Sequence, residues 1–462
     1  MPLDPNIAWD EADAIPPQYS DDALAVMFTE RSVDLLRYLP AWGKWLAWDG
    51  ARWIVDERCR NFALAREICR QQAADIRANS PNDALGKLAR MIASARTINA
   101  VQSLAQSDPR QTLVPDDLDR DQWLLNTRAG TVDLRSGELH AHDRGDLITK
   151  LTGAALGAEY RGSMWLRFLD RIMDGNRELV DYMQRVAGYL LTGSTAEHAL
   201  FYCYGTGSNG KSVFINTITR TLGDYATTAP AETFMQSKND RHPTEIAALA
   251  GARVVTAQEV ASGRVWDEGK IKALTGGDRI AARFMRGDFF QFTPQFKLLL
   301  AANHRPVLQT VDEAIKRRIH LIPFDITIKA EERDASLPDK LIAEAPAILR
   351  WMVDGCLEWQ AQGLNPPDII RETTERYLDG EDTLGQWLEE CCERQAGTFT
   401  RTADLYSNYR RFCTERGEQP KSCKGFSEDL EKKSPTKRRN TAGQQGFGGL
   451  RPIECFGAGA GD

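Results

Sequence analysis

The chain has 462 residues, of which 42% are hydrophobic and 27% are charged, and its formal net charge is −7. These values are ordinary for a globular protein of about two to four domains, and they argue against a uniformly basic protein that coats DNA. No segment approaches the roughly 18 consecutive apolar residues of a membrane-spanning helix, and the amino terminus lacks the pattern of a signal peptide. We therefore expect a cytoplasmic protein without a membrane partner.

Residues 1–160 predict a mixed α+β domain, and residues 161–200 predict a helical collar. Within the first domain the run from Leu64 to Gln102 predicts helices, and segments rich in tryptophan predict strands. The pattern leaves open whether this domain contacts DNA or only organises an assembly. Four tryptophans are expected in its core rather than on a platform that stacks bases: Trp42, Trp45, Trp48 and Trp53.

A glycine-rich segment follows the apolar run Ala199–Tyr204 and precedes a second apolar run. It consists of Gly205, Thr206, Gly207, Ser208, Asn209, Gly210, Lys211 and Ser212. Strand, glycine-rich turn and helix in this order are typical of a phosphate-binding loop, whose amides and lysine hold phosphates while its serine hydroxyl ligates Mg²⁺. The pattern predicts a nucleoside triphosphate site with Lys211 as its cation and Ser212 as a metal ligand. A glycine-rich turn that matches by chance is the alternative.

Two later apolar strands end in polar residues that would complement such a loop. The first, Arg253–Gln258, delivers Glu259 at its carboxyl end, where a carboxylate can help to hold Mg²⁺ and orient an attacking water. The second, Phe296–Ala302, ends at Asn303, whose amide would lie beside Glu259 and contact the γ-phosphate or that water. A solvated surface glutamate and an asparagine that caps a turn are the alternatives.

A short helix and a basic hairpin are predicted between these two strands. The segment Glu268–Asp278 predicts the helix, which carries Lys272, and residues 279–292 predict a hairpin with arginines and aromatic residues interleaved. Guanidinium groups pair with phosphates and aromatic rings stack on bases. We therefore predict DNA contacts at Lys272, Arg283 and Arg286. A hairpin with core aromatic residues and solvated arginines is the alternative.

Arg317 and Arg318 are adjacent on a predicted helix that runs into a strand. Adjacent helix positions point about 100° apart, so one arginine can form internal contacts while the other projects outward. An outward arginine can neutralise transition-state charge in the nucleotide site of a neighbouring subunit. Ordinary ion pairs with Asp312 or Glu313 are the alternative.

The end of the chain predicts a helical extension over 331–396 and a winged-helix-like DNA-binding domain over 397–456. Two predicted helices precede a basic run, and eight Lys or Arg stand against three acidic residues between Lys421 and Arg451. In a winged helix the second helix lies in a groove and the wing touches the backbone. A solvated basic tail is the alternative, and residues 457–462 are expected to be disordered. The predicted DNA contacts are Lys437, Arg438 and Arg439.

The order of these motifs resembles that of a superfamily 3 helicase. The segments GTGSNGKS, AQEV, IKALTGGD, ANHRP and DEAIKRRIHLIPF are similar to those of the phage and plasmid primase-helicase family, whose ATPase core is shared with helicases of large DNA viruses. The segments from Leu36 to Glu57 and from Leu124 to Leu139 resemble the domain that precedes the ATPase in that family. The resemblance therefore covers most of the chain.

The resemblance implies an α/β fold with a P-loop, AAA+-like superfamily 3 core, placed at residues 201–330. It also implies a ring, usually a hexamer, that moves 3′ to 5′ on single-stranded or forked DNA, with ATP and Mg²⁺ as cofactors. Gln258 replaces the first member of an acidic pair common in the superfamily, which leaves Ser212 and Glu259 as the implied metal ligands. The resemblance also implies the catalytic roles. Lys211 binds phosphate, Glu259 activates water and Asn303 senses the γ-phosphate. Arg317 or Arg318 acts in the nucleotide site of the neighbouring subunit.

The hypothesis from sequence is an ATP-dependent replicative DNA helicase of a phage, prophage or plasmid-like element. The family-like segments begin near Asp22, and no pair of strand-borne aspartates with a downstream histidine is seen, so a primase domain is not expected. A nucleotide-switched protein that binds an origin or recruits a helicase is one alternative, against which Glu259 and the two arginines count. A full primase-helicase with an unrecognised priming site is the other.

Overall fold

The computed structural model describes residues 15–79, 83–237, 244–258, 264–285, 287–305, 307–308, 311–417, 420–433, 437–440 and 443–453. Two predicted site residues, Glu259 and Arg286, and the predicted tail 457–462 lie outside these ranges. Within them, no helix combines the length and the apolar character that crossing a bilayer requires.

The amino-terminal region consists of helices packed on one small antiparallel sheet, followed by a second small sheet. Its first elements are α1 (Asp21–Ser32), β1 (Leu36–Leu39), β2 (Lys44–Trp48), β3 (Trp53–Val55), α2 (Arg60–Asn79), α3 (Asp83–Ile92) and α4 (Ala95–Ala105). The second sheet consists of β4 (Leu124–Thr127), β5 (Gly130–Asp133) and β6 (Glu138–His140). The helical run predicted near Leu64 to Gln102 is confirmed, divided into three helices.

The tryptophans of this region separate into core and surface positions. Trp45 and Trp53 are buried as predicted, and Trp48 packs against Trp53 with ring centroids 5.7 Å apart. Trp42 is 48% exposed, so its predicted place in the core was wrong. It lies in the turn that joins β1 to β2.

Two collar helices and a parallel sheet follow. They are α5 (Met164–Ile172), α6 (Arg177–Leu191), β7 (Leu200–Tyr204), α7 (Lys211–Leu222), β8 (Ala226–Thr228), α8 (Thr244–Ala247), β9 (Val254–Gln258), α9 (Glu268–Thr275), β10 (Ile280–Arg283), β11 (Phe289–Phe292), β12 (Lys297–Ala302), α10 (Glu313–Lys316) and β13 (Ile319–Pro323). Five of these strands form one parallel sheet in the order β13-β7-β12-β9-β8. β10 and β11 form a separate antiparallel hairpin.

The parallel sheet is covered on both faces, which explains its continuous apolar strands. Alternate residues of β7 enter two different cores: Phe201 and Cys203 pack with the collar helices and α7, whereas Leu200 and Tyr202 pack on the opposite face. All four side chains are fully buried. Because the strands are parallel, their carboxyl ends lie at one edge of the sheet, and the loops that leave this edge lie side by side.

Two buried cations hold the collar and the second small sheet against the opposite, amino-terminal edge. The Arg253 guanidinium donates to the carbonyls of Leu191 (2.6 Å) and Leu124 (2.7 Å), and Lys297 donates to the carbonyl of Thr192. Burial lowers the pKa of both side chains below their ordinary values. Two of the three carbonyls lie at the carboxyl end of α6, where the helix dipole favours positive charge.

The rest of the chain is helical before it ends in a small mixed unit. The elements are α11 (Leu337–Ala343), α12 (Ala345–Gln362), α13 (Asp368–Glu381), α14 (Thr383–Cys391), β14 (Cys392–Arg401), α15 (Thr402–Glu415), α16 (Cys423–Lys433), β15 (Lys437–Arg439) and β16 (Gln445–Pro452). The last unit has its own core, to which Leu384 and Trp387 of α14 belong, and a sheet in the order β14-β16-β15. Its two predicted helices and basic strand are present as α15, α16 and β15.

Candidate nucleotide site and nucleic-acid surfaces

The predicted phosphate loop joins β7 to α7 at the carboxyl edge of the sheet, and its backbone curls through positive φ angles. The values are +152° at Gly205, +102° at Gly207, +52° at Ser208 and +87° at Gly210. A Cβ at Gly210 would lie 2.5 Å from Cγ2 of Ile172, and one at Gly205 would lie 2.3 Å from the carbonyl oxygen of Phe324. Glycine is therefore required at both positions by backbone angle and by space.

The Lys211 ammonium lies in the concavity of this loop and is held by neutral oxygens. Its Nζ donates to the carbonyl of Gly205 (2.6 Å), to Oδ1 of Asn209 (3.1 Å) and to Oδ1 of Asn303 (3.3 Å). Lys211 is 5% exposed, and desolvation lowers the pKa of its ammonium. No carboxylate among the described residues bonds to it. The site thus presents a partly desolvated positive charge at the amino terminus of α7, an arrangement that suits an anion.

Strand register brings the other predicted residues to the same edge. Ala302 at the end of β12 lies opposite Tyr204 at the end of β7, so Asn303 and Gly205 leave adjacent strands. Gln258 at the end of β9 lies opposite Ala301 on the other side of β12. The sheet therefore brings Asn303 to Lys211, whereas the predicted position of Asn303 was beside Glu259. Glu259, the residue after Gln258, lies outside the described residues.

Ser212 and its surroundings form a polar surface beside the loop. Ser212 is the second residue of α7 and is exposed, and Asn216 lies one turn later on the same helix. The Gln258 amide donates to Oδ1 of Asn216 at 3.0 Å. The described residues contain no group of three or more His, Cys, Asp and Glu side chains arranged to hold a metal ion. Ser212 is the described residue at this position that could ligate a metal ion.

Arg317 and Arg318 have opposite environments. Arg318 is 6% exposed, and its guanidinium donates to the hydroxyl of Thr275 (3.1 Å) and to the carbonyl of Ala314 (2.6 Å). Arg317 is exposed and its guanidinium has no hydrogen bond or ion pair to any described residue. The predicted alternative was an ion pair of either arginine with Asp312 or Glu313. In the structure Asp312 forms an ion pair with Lys272, and Glu313 forms one with Lys316. One arginine is therefore structural and the other points away from the subunit.

The basic hairpin carries exposed aromatic residues at its end. Phe284 is 52% exposed, Met285 70% and Phe289 64%, and the Arg283 guanidinium lies 4.7 Å from the centre of the Phe289 ring. Phe284 and Phe289 are therefore not core residues, whereas Phe292 is half-buried and packs against the core on one face of the parallel sheet. Lys272, predicted to contact DNA, instead donates to Asp312 at 2.6 Å.

The three basic residues of β15 differ in their surroundings. Lys437 pairs with Glu431 at 3.1 Å, and Arg439 is exposed. Arg438 crosses the sheet to donate to the carbonyl of Thr398 at 3.1 Å, and a Cβ on Gly448 would lie 2.7 Å from its Nε. Glycine at 448 thus gives the guanidinium a flat surface on which to lie.

The preceding helix α16 is electrically balanced. It contains three lysines and three acidic residues, and several of them pair, Lys424 with Glu428 (3.9 Å) and Lys432 with Asp429 (2.9 Å). The excess positive charge of the last unit therefore lies on its strands and loops rather than on this helix. A helix without net positive charge gains little from the phosphates that line a groove, so the charge of α16 does not favour the predicted placement of the second helix there.

Sequence reasoning missed two residues at the candidate nucleotide site. Asn216 could have been found, because it lies four residues after Ser212 on a predicted helix and such residues share a face. Arg333 donates to the Ser208 hydroxyl at 3.0 Å from a segment 125 residues away in the chain. No local pattern signals that contact.

Two family models match the chain. The model described as D5 N terminal like matches residues 24–174, and a family of unknown function, DUF5906, matches residues 203–318. The second match covers the predicted loop, Asn303 and both arginines.

Two of the relatives are viral proteins. Helicase candidate L207/L206 of Acanthamoeba polyphaga mimivirus is 24% identical over 322 residues, which is 64% of this chain and 33% of that protein. Helicase candidate 022R of Frog virus 3 is 24% identical over 249 residues, 50% of this chain and 26% of that protein. The chain thus spans a third or less of the length of these relatives. A solved apo structure of the NrS-1 C terminal region aligns with a TM-score of 0.48 and 9% identity over 93% of this chain and 99% of that one.

Substitution of Arg318 should lower the stability of the protein more than substitution of Arg317. Arg318→Ala removes two buried hydrogen bonds and should lower the free energy of unfolding by about 2 kcal/mol, whereas Arg317→Ala should change it by less than about 0.5 kcal/mol. Chemical denaturation of both variants and the wild type measures the difference. Equal losses in the two variants would contradict the assignment of Arg318 as the internal residue.

Proposed function

We propose that this chain, which belongs to the D5-like primase-helicase family of viruses and phages, is an ATP-driven DNA helicase that acts in replication. The observation that carries the proposal is the Lys211 ammonium, desolvated in a loop of positive φ angles and held only by neutral oxygens within the described chain. A triphosphate supplies the negative charge that this arrangement lacks. Movement 3′ to 5′ and a phage, prophage or plasmid-like source rest on the resemblance of the motifs.

The roles of the residues follow from their places at the sheet edge. Lys211 and the amides at the start of α7 would bind the phosphates, and Ser212 with Glu259 would hold Mg²⁺, which stabilises the charge that develops on phosphate. Asn303, already within 3.3 Å of Lys211, would exchange that contact for the γ-phosphate or a water. Glu259 would orient the attacking water.

The outward arginine suggests that the site is completed by a second subunit. Arg317 extends from α10 without an intramolecular partner among the described residues, and a free guanidinium can stabilise charge on a neighbour's nucleotide. We assign it, rather than Arg318, as the arginine that acts in the neighbouring subunit of a ring, with a hexamer as the expected form.

ATP hydrolysis should depend on Lys211 and should rise with single-stranded DNA. Lys211→Ala and Glu259→Gln should each lower kcat at least about a hundredfold, because one removes a phosphate contact and the other the group that orients water. Steady-state hydrolysis with and without DNA checks this.

Lys87→Ala is the matched control, because Lys87 is an exposed lysine on α3, away from the loop. Hydrolysis that survives in Lys211→Ala would contradict the proposed site. Nucleotide binding without turnover in the wild type would favour a nucleotide-switched origin-binding protein instead.

Mixing two inactive variants tests the assignment of Arg317. A Lys211→Ala subunit still has Arg317, and an Arg317→Ala subunit still has Lys211. In a mixed ring, the site of an Arg317→Ala subunit is complete when the neighbour that supplies the arginine is a Lys211→Ala subunit. Mixed at equal concentration, the two proteins should recover roughly a quarter of wild-type ATPase activity if subunits assort randomly. An Arg317→Ala protein that is fully active alone, or a mixture without recovered activity, would rule out action between subunits.

The exposed hairpin and the last unit would supply the DNA contacts. Arg283 beside Phe289 offers one guanidinium and one ring, the pair that suits sequence-independent contact with a single strand, and Arg286 is proposed to join them. In the last unit the helix and strand order α14-β14-α15-α16-β15-β16 supports a winged-helix-like domain. Because α16 is charge-balanced, we propose that the basic strand β15 contacts phosphates and that α16 does not read a groove.

Charge reversals on β15 and α16 should therefore have different effects. Arg439→Glu should weaken binding to a short duplex or forked DNA about fivefold or more at low salt and reduce the salt slope by about one, because a phosphate contact is lost. Lys432→Glu, an equal change of charge on α16, should alter affinity less than about twofold. Fluorescence anisotropy over a salt series measures both, and the opposite ranking would place the contact on the helix.

A further inference from the structure

A segment that leaves β13 passes over the outer side of the phosphate loop and holds Ser208 at two atoms. The Ile328 amide donates to the carbonyl of Ser208 at 2.7 Å, and Nη2 of Arg333 donates to the Ser208 hydroxyl at 3.0 Å. Nε of Arg333 also donates to the carbonyl of Ile328 at 3.2 Å. Arg333 therefore contacts both Ile328, in its own segment, and Ser208, in the phosphate loop.

The same segment is anchored to the collar on its other side. Glu332 accepts from Nη2 (2.8 Å) and Nε (3.2 Å) of Arg171 on α5. That helix meets the loop at its other end, because Ile172 and Phe168 are the side chains that a Cβ at Gly210 would touch. The loop is thus enclosed between α5 and the segment that carries Arg333.

Ser208 is the position in the loop where such support matters. Its φ of +52° lies in the left-handed region, which costs a residue other than glycine or asparagine about 1 kcal/mol or more. The neighbouring glycines at 207 and 210 adopt positive φ without this cost. Two hydrogen bonds to one strained residue offset the strain and support the curl of the loop.

We propose that Arg333 is a positioning residue that acts through Ser208 to keep the loop in the form that receives the phosphates. The inference rests on the proposed nucleotide site and adds to it a contact within the same subunit. Without the Arg333 contact, Ser208 relaxes toward negative φ, and the loop must be reordered each time a nucleotide binds. The loss appears in nucleotide affinity and KM rather than in kcat, because Arg333 is assigned no contact with the reacting atoms.

A double-mutant cycle on full-length protein tests this with a fluorescent ATP analogue in a binding assay and with steady-state ATPase kinetics. Arg333→Ala and Ser208→Ala should each weaken binding roughly three- to tenfold, and the double variant should be no weaker than the single ones, because both remove the same hydrogen bond. kcat should stay within about twofold of the wild type. Lys340→Ala, which removes a nearby lysine paired with Asp334, should bind like the wild type.

Two further variants separate positioning from direct contact. Ser208→Gly needs no support at positive φ, so adding Arg333→Ala to it should cost less than about twofold. If Arg333 instead touches phosphate, Arg333→Ala will weaken binding in the Ser208→Gly background as much as in the wild type, which overturns the proposal. Additive effects of Arg333→Ala and Ser208→Ala, or no effect of either, overturn it as well.

The binding assay also separates failure of this inference from failure of the proposed function. If the wild type binds the analogue, Lys211→Ala does not, and Arg333→Ala binds normally, the nucleotide site stands and the role of Arg333 is wrong. If the wild type and Lys211→Ala are equally unable to bind, the nucleotide site and the role of Arg333 both fail. Thermal unfolding of each variant confirms that the compared proteins are folded.

Discussion

The parallel pairing of β7 between β13 and β12 is the constraint on which the rest of the site depends. It places the end of β7, where the loop begins, beside the end of β12, where Asn303 begins, and beside the end of β13, from which the segment carrying Arg333 leaves. Parallel strands share one carboxyl edge, so three loops that are distant in sequence converge without any direct sequence signal between them. Burial of both sheet faces holds this register.

Positive charge is arranged differently at the two edges of the sheet. At the amino-terminal edge, Arg253 and Lys297 are buried against carbonyls, among them those at the end of α6, so their charges are used in packing. At the carboxyl edge, Lys211 is desolvated beside the positive end of a helix, where backbone polarity adds to its charge rather than offsetting it. The first arrangement is complete within the subunit, whereas the second favours an added anion.

Side-chain contacts connect α9, which precedes the proposed DNA-contacting hairpin, to α10, which precedes Arg317. Lys272 on α9, just before the hairpin, pairs with Asp312, which caps α10, and Arg318 bonds to Thr275 at the end of α9. The contacts of Lys272 with Asp312 and of Arg318 with Thr275 join α9 to the segment that contains α10. Lys272 is therefore part of the contact between these two helices.

Local patterns in the sequence determined the glycine-rich loop, the strands of the sheet around it and the basic hairpin. They also determined that one of the two adjacent arginines is internal and the other is exposed. These features depend on glycine torsion angles, strand alternation and helix periodicity, which act over a few residues. Trp42 was misplaced because its turn position, rather than its apolar ring, sets its exposure. Only the tertiary structure decided which arginine is buried, that Lys272 pairs with Asp312, and that Arg333 supports Ser208. Each of these contacts joins residues between about 40 and 125 positions apart, and the strand order that brings them together depends on packing across the whole sheet.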